Sequence, residues 1–164
     1  MLITTLCTIL WQQLGAAIDM LEGAMQACPD DLWGDQSQEP QFWYLVYHTI
    51  FFLDFYMSDS LEGFKPPAPF TLSELDPAGV LPERVYSKEE LKTYLEHGRK
   101  KCKAAIEALT DENADQRFKY GRIDISRAEL LLYKIRHVQH HAAQLNLILR
   151  QKNQSPPSWV VKAE

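Results

Sequence analysis

Apolar residues recur at helical spacing along the first 27 residues: Leu2, Leu6, Ile9, Leu10, Leu14, Ala17, Ile18, Leu21 and Met25 share one face, and Pro29 closes the run. The pattern predicts a first helix over 2–27. A polar stretch from Pro29 to Glu39 follows, after which Pro40 can occupy the first turn of a second helix reaching about Leu61. That segment, PQFWYLVYHTIFFLDFYMSDSL, is apolar almost all round. Such a helix is either buried on every side or divides its surface between its own core and a second subunit. Trp43, Phe51, Phe52 and Phe55 favour the second arrangement, a homodimer surface.

The pattern then lapses. Residues 62–86 hold five of the nine prolines, and Lys65–Pro69 (KPPAP) excludes a helix, although Thr71 to Leu75 has room for one helical turn. A connection this long is expected to cross the fold or to take part in a site. Ser87 with Glu90 three residues on forms a capping box that opens a third helix, whose inward face carries Leu91, Tyr94, Leu95, Gly98, Cys102, Ala105, Ile106 and Leu109. Past Thr110 an acidic linker ends the helix. Arg117–Ile125 (RFKYGRIDI) reads as a turn or short extended piece centred on Gly121, and Ser126 with Glu129 opens a fourth helix running from Arg127 to about Arg150. Asn153 to Pro157 stops it, and Trp159 in the tail is expected to fold back on an apolar surface.

Four helices of this length predict an all-α fold, a four-helix bundle forming a single domain over 1–164. Short links make the first and second helices, and the third and fourth, antiparallel neighbours. The long connection between the second and third can return the chain along the bundle, giving an up, down, down, up order. The first 21 residues, MLITTLCTILWQQLGAAIDML, lack a basic leader and meet Gln12 and Gln13 too early for a membrane span, so neither a signal peptide nor a membrane partner is expected. The net charge of −5 is mild and the basic residues are scattered, which argues against nucleic acid. Cys7, Cys28 and Cys102 are few, odd in number and far apart, consistent with core thiols in a reducing, cytoplasmic setting and with neither a disulfide framework nor a cysteine zinc site.

Candidate chemistry concentrates in Arg136–Arg150 (RHVQHHAAQLNLILR), which holds three of the five histidines in its first six residues. His137 and His141, four apart on a helix, project from one face and can reach one metal ion. Tyr133 and Gln144 share their strip, whereas His140 sits to one side. A third ligand must come from His48 or His97. In the up, down, down, up order His48 lies about 20 Å from the end of the second helix, and the His137–His141 midpoint about 18 Å into the fourth, so the heights agree; in an alternating bundle they miss by about a turn. His97 and His140 are expected to face solvent.

With a histidine in the middle of the second helix, a His-x-x-x-His pair in the fourth, and the run HHAAQLNLILR with Gln144, Leu145 and Arg150, the chain resembles the DinB (YfiT-like) family of bacterial metalloproteins along essentially its whole length. The resemblance implies an up, down, down, up bundle, usually a homodimer, with a divalent metal, often nickel or zinc, on residues matching His48, His137 and His141. Gln144 matches the family's glutamine, and Ala143 departs from the glycine often found before it. Characterised relatives include S-transferases that use a low-molecular-weight thiol.

The residues independently support open metal chemistry, since three neutral imidazoles leave coordination positions for water or substrate. Nitrogen ligands suit zinc or nickel, and such an ion lowers the pKa of a bound water or thiol. There is no His-Glu-x-x-His motif and no Glu-x-x-His of the di-iron type. Tyr44, Tyr133 and Gln144 are the nearest candidates for a catalytic group. The function expected is a metal-dependent enzyme acting on a small-molecule substrate, a thiol-dependent S-transferase or a hydrolase. The alternative is a non-catalytic, stress-related protein that binds metal or a small ligand.

Overall fold

In the computed structural model the described residues are 2–58, 61–152 and 154–164, and they are mostly helical. Four long helices are present among them: α1 (Leu2–Ala27), α3 (Phe42–Phe55), α4 (Lys88–Glu107) and α5 (Arg127–Gln151). They are joined by a one-turn helix α2 (Asp30–Trp33), a 3₁₀ turn at Ser73–Leu75, and a hairpin of β1 (Arg117–Tyr120) and β2 (Ile123–Ser126). No helix among the described residues is long and apolar enough to cross a membrane.

Local chemistry accounts for the helix starts. Glu90 N–H donates to Ser87 Oγ while Ser87 N–H donates to the Glu90 carboxylate, and Ser126 with Glu129 repeats the arrangement at α5. Each box satisfies two amide donors that the helix itself leaves bare. The expected second helix corresponds to α3 and starts behind Gln41, but it ends at Phe55 and not near Leu61. Met57 and Ser58 N–H turn back to the Asp54 and Phe55 carbonyls, three residues away, and Ser58 Oγ donates to the Asp54 carbonyl, so the last turn tightens and closes. The expected all-α fold is also amended by the hairpin. Tyr120 pairs with Ile123 across a two-residue turn in which Gly121 takes φ +56°, a conformation that favours glycine.

The helices make a closed ring of contacts, α1 packing on α4 and α5, and α3 on α4 and α5. Sequence neighbours α1 and α3, like α4 and α5, therefore face each other across the diagonals and are not the adjacent pairs that short links suggest. The links supply the reason, since one contains α2 and the other the hairpin, and both are long enough to cross. Along α3 and α5 the contacts run in opposite senses: His48 meets His141, the Phe52 carbonyl accepts from Lys134, and Tyr56 meets Tyr133. Along α3 and α4 they run in the same sense, from Trp43 against Tyr86 to Asp54 against Tyr94 and Lys101. Along α1 and α4 they are opposed again, with Asp19 and Glu22 bonding Arg99, and Asp30 just beyond α1 bonding Lys88.

Most of the aromatic surface of α3 is internal, with Tyr44 and Phe52 half-buried. Trp43, Phe51 and Phe55 are at most 2% exposed within the single chain, so they do not form the subunit face expected from their composition. The crossover and the hairpin supply the missing cover: Phe70 stacks on Tyr47, Phe64 meets Phe51 edge-on, and Tyr120 meets Phe55. The C-terminal tail does fold back, but not through Trp159, which is 69% exposed. Ala163 and Pro157 instead settle against Gly15 and Gly23 of α1, and Ala163 N–H donates to the Gln12 carbonyl. These glycines leave grooves in which a side chain as large as tryptophan has no place.

Candidate metal centre

Helix α3 carries Tyr44, His48 and Phe52 at four-residue spacing on the side that meets α5. Helix α5 carries Tyr133, His137 and His141 at the same spacing on the side that meets α3. Lys134 ties the two together by donating to the Phe52 carbonyl oxygen over 2.6 Å. The result is a partly buried cluster in which His48, His137 and His141 each offer a nitrogen, all within 4.8 Å of one another. Ring centroids are 4.9 Å apart for His48–His141, 4.6 Å for His137–His141 and 5.6 Å for His48–His137. His140 and His97 lie outside this cluster and are exposed, although His97 Nε2 comes within 3.4 Å of Asp54.

Two rings are oriented from outside the cluster. His48 Nδ1 is 2.7 Å from Glu74 Oε2. A carboxylate accepts only, so Nδ1 carries the proton and Nε2 presents its lone pair. His141 Nδ1 likewise donates to the Gln144 side-chain oxygen over 2.7 Å, again freeing Nε2. His137 Nδ1 is buried with no hydrogen-bond partner, as is Glu74 Oε1. Unpartnered polar atoms in such a place cost free energy that a bound ion or substrate can recover.

The electrostatics keep His137 and His141 neutral. Burial above all, then the charge of Lys134, pushes the His137 pKa down to about 2. Burial also lowers His141 to about 4, against the raising effect of its bond to Gln144. Neutral imidazole is the form that ligates a metal. This donor set therefore fits a metal ion, and with three protein ligands coordination positions would remain open.

Of the weaker candidates, Gln144 orients His141, Tyr133 stacks on His137 at 6.5 Å with only 12° between the rings, and Tyr44 is half-buried beside His48. Burial, and after it the neighbouring Glu74 charge, raises the Tyr44 pKa, so its hydroxyl stays protonated. Glu74 itself escapes a reading of the sequence. Its side chain is 3% exposed and reaches His48 from the 3₁₀ turn of the crossover. The only prior signal is an acidic residue in a stretch with room for one helical turn.

No curated protein and no solved structure matches the chain significantly. The DinB superfamily profile does match, over residues 13–145. That span takes in α3, most of α5 and all three clustered histidines, and the chain belongs to the DinB superfamily.

Proposed function

We propose that this chain is a divalent-metal-dependent enzyme whose ion, zinc or nickel, is held by His48, His137 and His141. The observation that carries the reading is the pair of bonds from Glu74 to His48 and from Gln144 to His141, which turn two Nε2 lone pairs inward. Carboxylate and amide partners of this kind fix the tautomer and raise the basicity of a ligating imidazole. A divalent ion so held supplies Lewis acidity, bringing the pKa of a water or thiol near neutrality.

The chain's own residues orient and enclose. Glu74 is committed to His48 and nearly sealed from solvent, so it acts as a positioning residue and not as a proton carrier. Tyr44 keeps its proton and offers a donor beside the rings. Tyr133 stacks on His137 and restrains its rotation. Transfer of a low-molecular-weight thiol to a small-molecule substrate is the favoured reaction, because a thiol (pKa about 8.5) ionises far more readily than water (15.7) and makes less demand on a separate base. The same reading takes the fold as an up, down, down, up bundle, supported by the opposed contacts of α3 with α5 and of α1 with α4, and the parallel contacts of α3 with α4.

Elemental analysis of the purified protein tests the ligand set, with His48→Ala and His141→Ala beside the wild type. About one ion per chain is expected, lost in both variants, followed by metal-dependent consumption of thiol in an assay with electrophilic substrates. Absence of metal from the wild type after supplementation, with both variants equally well folded, would overturn the assignment. A bound ion with no turnover of any thiol or ester leaves the non-catalytic binding role.

A further inference from the structure

A cavity of about 430 Å³ opens where the end of α3, the last turns of α4, the first turns of α5 and the hairpin meet. Its floor is apolar and buried, formed by Tyr56, Met57, Leu130 and Leu131. Beside Lys101, the end of α4 contributes only small side chains there, Ala104 and Ala105, followed by Ala108 just past the helix. On α5 the lining residue nearest the histidines is Leu131, six positions before His137 and so about 9 Å away along the axis. Tyr56 walls the cavity from Lys134, whose ammonium lies 4.0 Å from the tyrosine ring centroid on α5's side. The cavity is thus separate from the histidine cluster and of a size that suits a small ligand.

Its charged groups are all of one sign. Lys101, Arg117 and Arg127 line it, and no carboxylate does so among the described residues. Lys101 is neutralised from beneath by the buried Asp54, with Ser58 Oγ as a further partner at 2.7 Å. Arg117 is held by Asp124 through Nε at 2.9 Å and Nη2 at 2.7 Å. Arg127 differs. The residue is half-buried, and its guanidinium has no ion pair or hydrogen bond among the described residues. A planar, permanently charged donor beside an apolar floor is complementary to a carboxylate attached to an apolar body, which it can hold through two parallel bonds.

We infer that this cavity is a second binding site, which takes a small monocarboxylate with an apolar chain, the carboxylate on Arg127 and the chain over Tyr56, Leu130 and Leu131. The site is independent of the metal centre and of any reaction there.

Titration calorimetry with decanoate on the full chain, beside decanol and decylamine, tests it, with methyl NMR to locate the ligand. Decanoate is expected to bind one-to-one, to shift the methyl signals of Leu130, Leu131 and Ala105, and to outcompete decanol and decylamine. Arg127→Gln, folded as judged by circular dichroism, is expected to weaken decanoate by about tenfold or more, the worth of a charge-assisted hydrogen bond. His48→Ala is expected to leave the affinity unchanged, which separates this site from the metal centre. The inference is overturned if decanoate shows no binding at millimolar concentration, if decanol binds equally well, if Arg127→Gln has no effect, or if the shifts map to the histidine cluster.

Discussion

His48 Nδ1 and Glu74 Oε2 lie 2.7 Å apart although 26 residues separate them, and the bond joins the middle of α3 to the crossover that wraps it. Glu74 is nearly buried, so the contact is poorly screened and directional. Replacing it with glutamine keeps the shape and an acceptor oxygen but removes the charge. Glu74→Gln is expected to lower metal affinity by about 10- to 100-fold, the usual worth of an outer partner of a ligating histidine. Competition against a chelator measures this. Unchanged affinity would mean that the contact shapes the loop and not the ligand.

The metal-free protein is expected to weaken in acid through His137 and His141. Both have folded pKa values, about 2 and about 4, below the ordinary 6.5. The unfolded chain therefore binds protons below pH 6.5 that the folded chain refuses, and stability that is full above 6.5 falls as pH drops. The fall is up to about 1.4 kcal/mol per pH unit for each histidine, reduced by their partial exposure. Between pH 6.5 and 4 both contribute; below 4 His141 protonates in the folded state and His137 alone continues. His48, His140 and Lys134 share the cluster's charge balance. Urea titrations of chelated protein from pH 7.5 to 4, with His137→Gln alongside, measure the slope, which should be shallower in the variant.

The helices and the histidines were legible because their signals are local. Capping boxes at Ser87 and Ser126 act within three residues, and the four-residue spacing of His137 and His141 puts them on one face of any helix. His48 was legible only as a histidine on a buried helix opposite them. The agreement in height that favours the up, down, down, up order rests on an end for that helix near Leu61, six residues beyond the true end at Phe55. The rings nonetheless meet, because α5 begins beyond the end of α3, where the hairpin covers its first turns. Glu74 was not legible. Its place depends on Tyr47 Oη donating to the Thr71 carbonyl over 2.8 Å and on Phe70 stacking against Tyr47 and Tyr94, and these are contacts between distant parts of the chain. The cover of α3 failed to read for the same reason: a proline-rich stretch has no period to announce that Phe64 and Phe70 turn inward.

Lys134 is fully buried with a backbone carbonyl and two aromatic rings for company, and no carboxylate among the described residues bonds it. Burial drives its pKa well below the ordinary lysine value. The unfolded chain then holds a proton more tightly than the folded one, so the lysine's cost is greatest at low pH and vanishes above about 10.4. Lys134→Met keeps the stem and removes the amine, and the Phe52 carbonyl retains the Tyr56 N–H at 3.3 Å. The variant is expected to be more stable than the wild type by about 1 kcal/mol or more near neutrality, with the gap closing as pH rises. A loss of stability would show that the ring contacts and the bond to Phe52 outweigh desolvation.

Gly15 on α1 tests how the tail is held. A Cβ there would come within 2.5 Å of Ala163 Cβ, too close for any real contact, whereas alanine in place of glycine favours the helix itself by up to about 1 kcal/mol. The two effects act on different parts. The helix interior gains, and the strain falls on a tail fixed by Ala163 N–H to the Gln12 carbonyl at 2.9 Å, Trp11 Nε1 to the Glu164 carbonyl at 2.8 Å, and the contact of Pro157 with Gly23. The tail has few such ties and the core many, so the tail should yield. Gly15→Ala is expected to leave the melting temperature within a few degrees of the wild type while the Ala163 amide exchanges at least about tenfold faster, as loss of one or two hydrogen bonds predicts. Slowed or unchanged exchange at Ala163 would show that the tail adapts around the methyl and that its anchoring lies nearer Pro157 and Gly23.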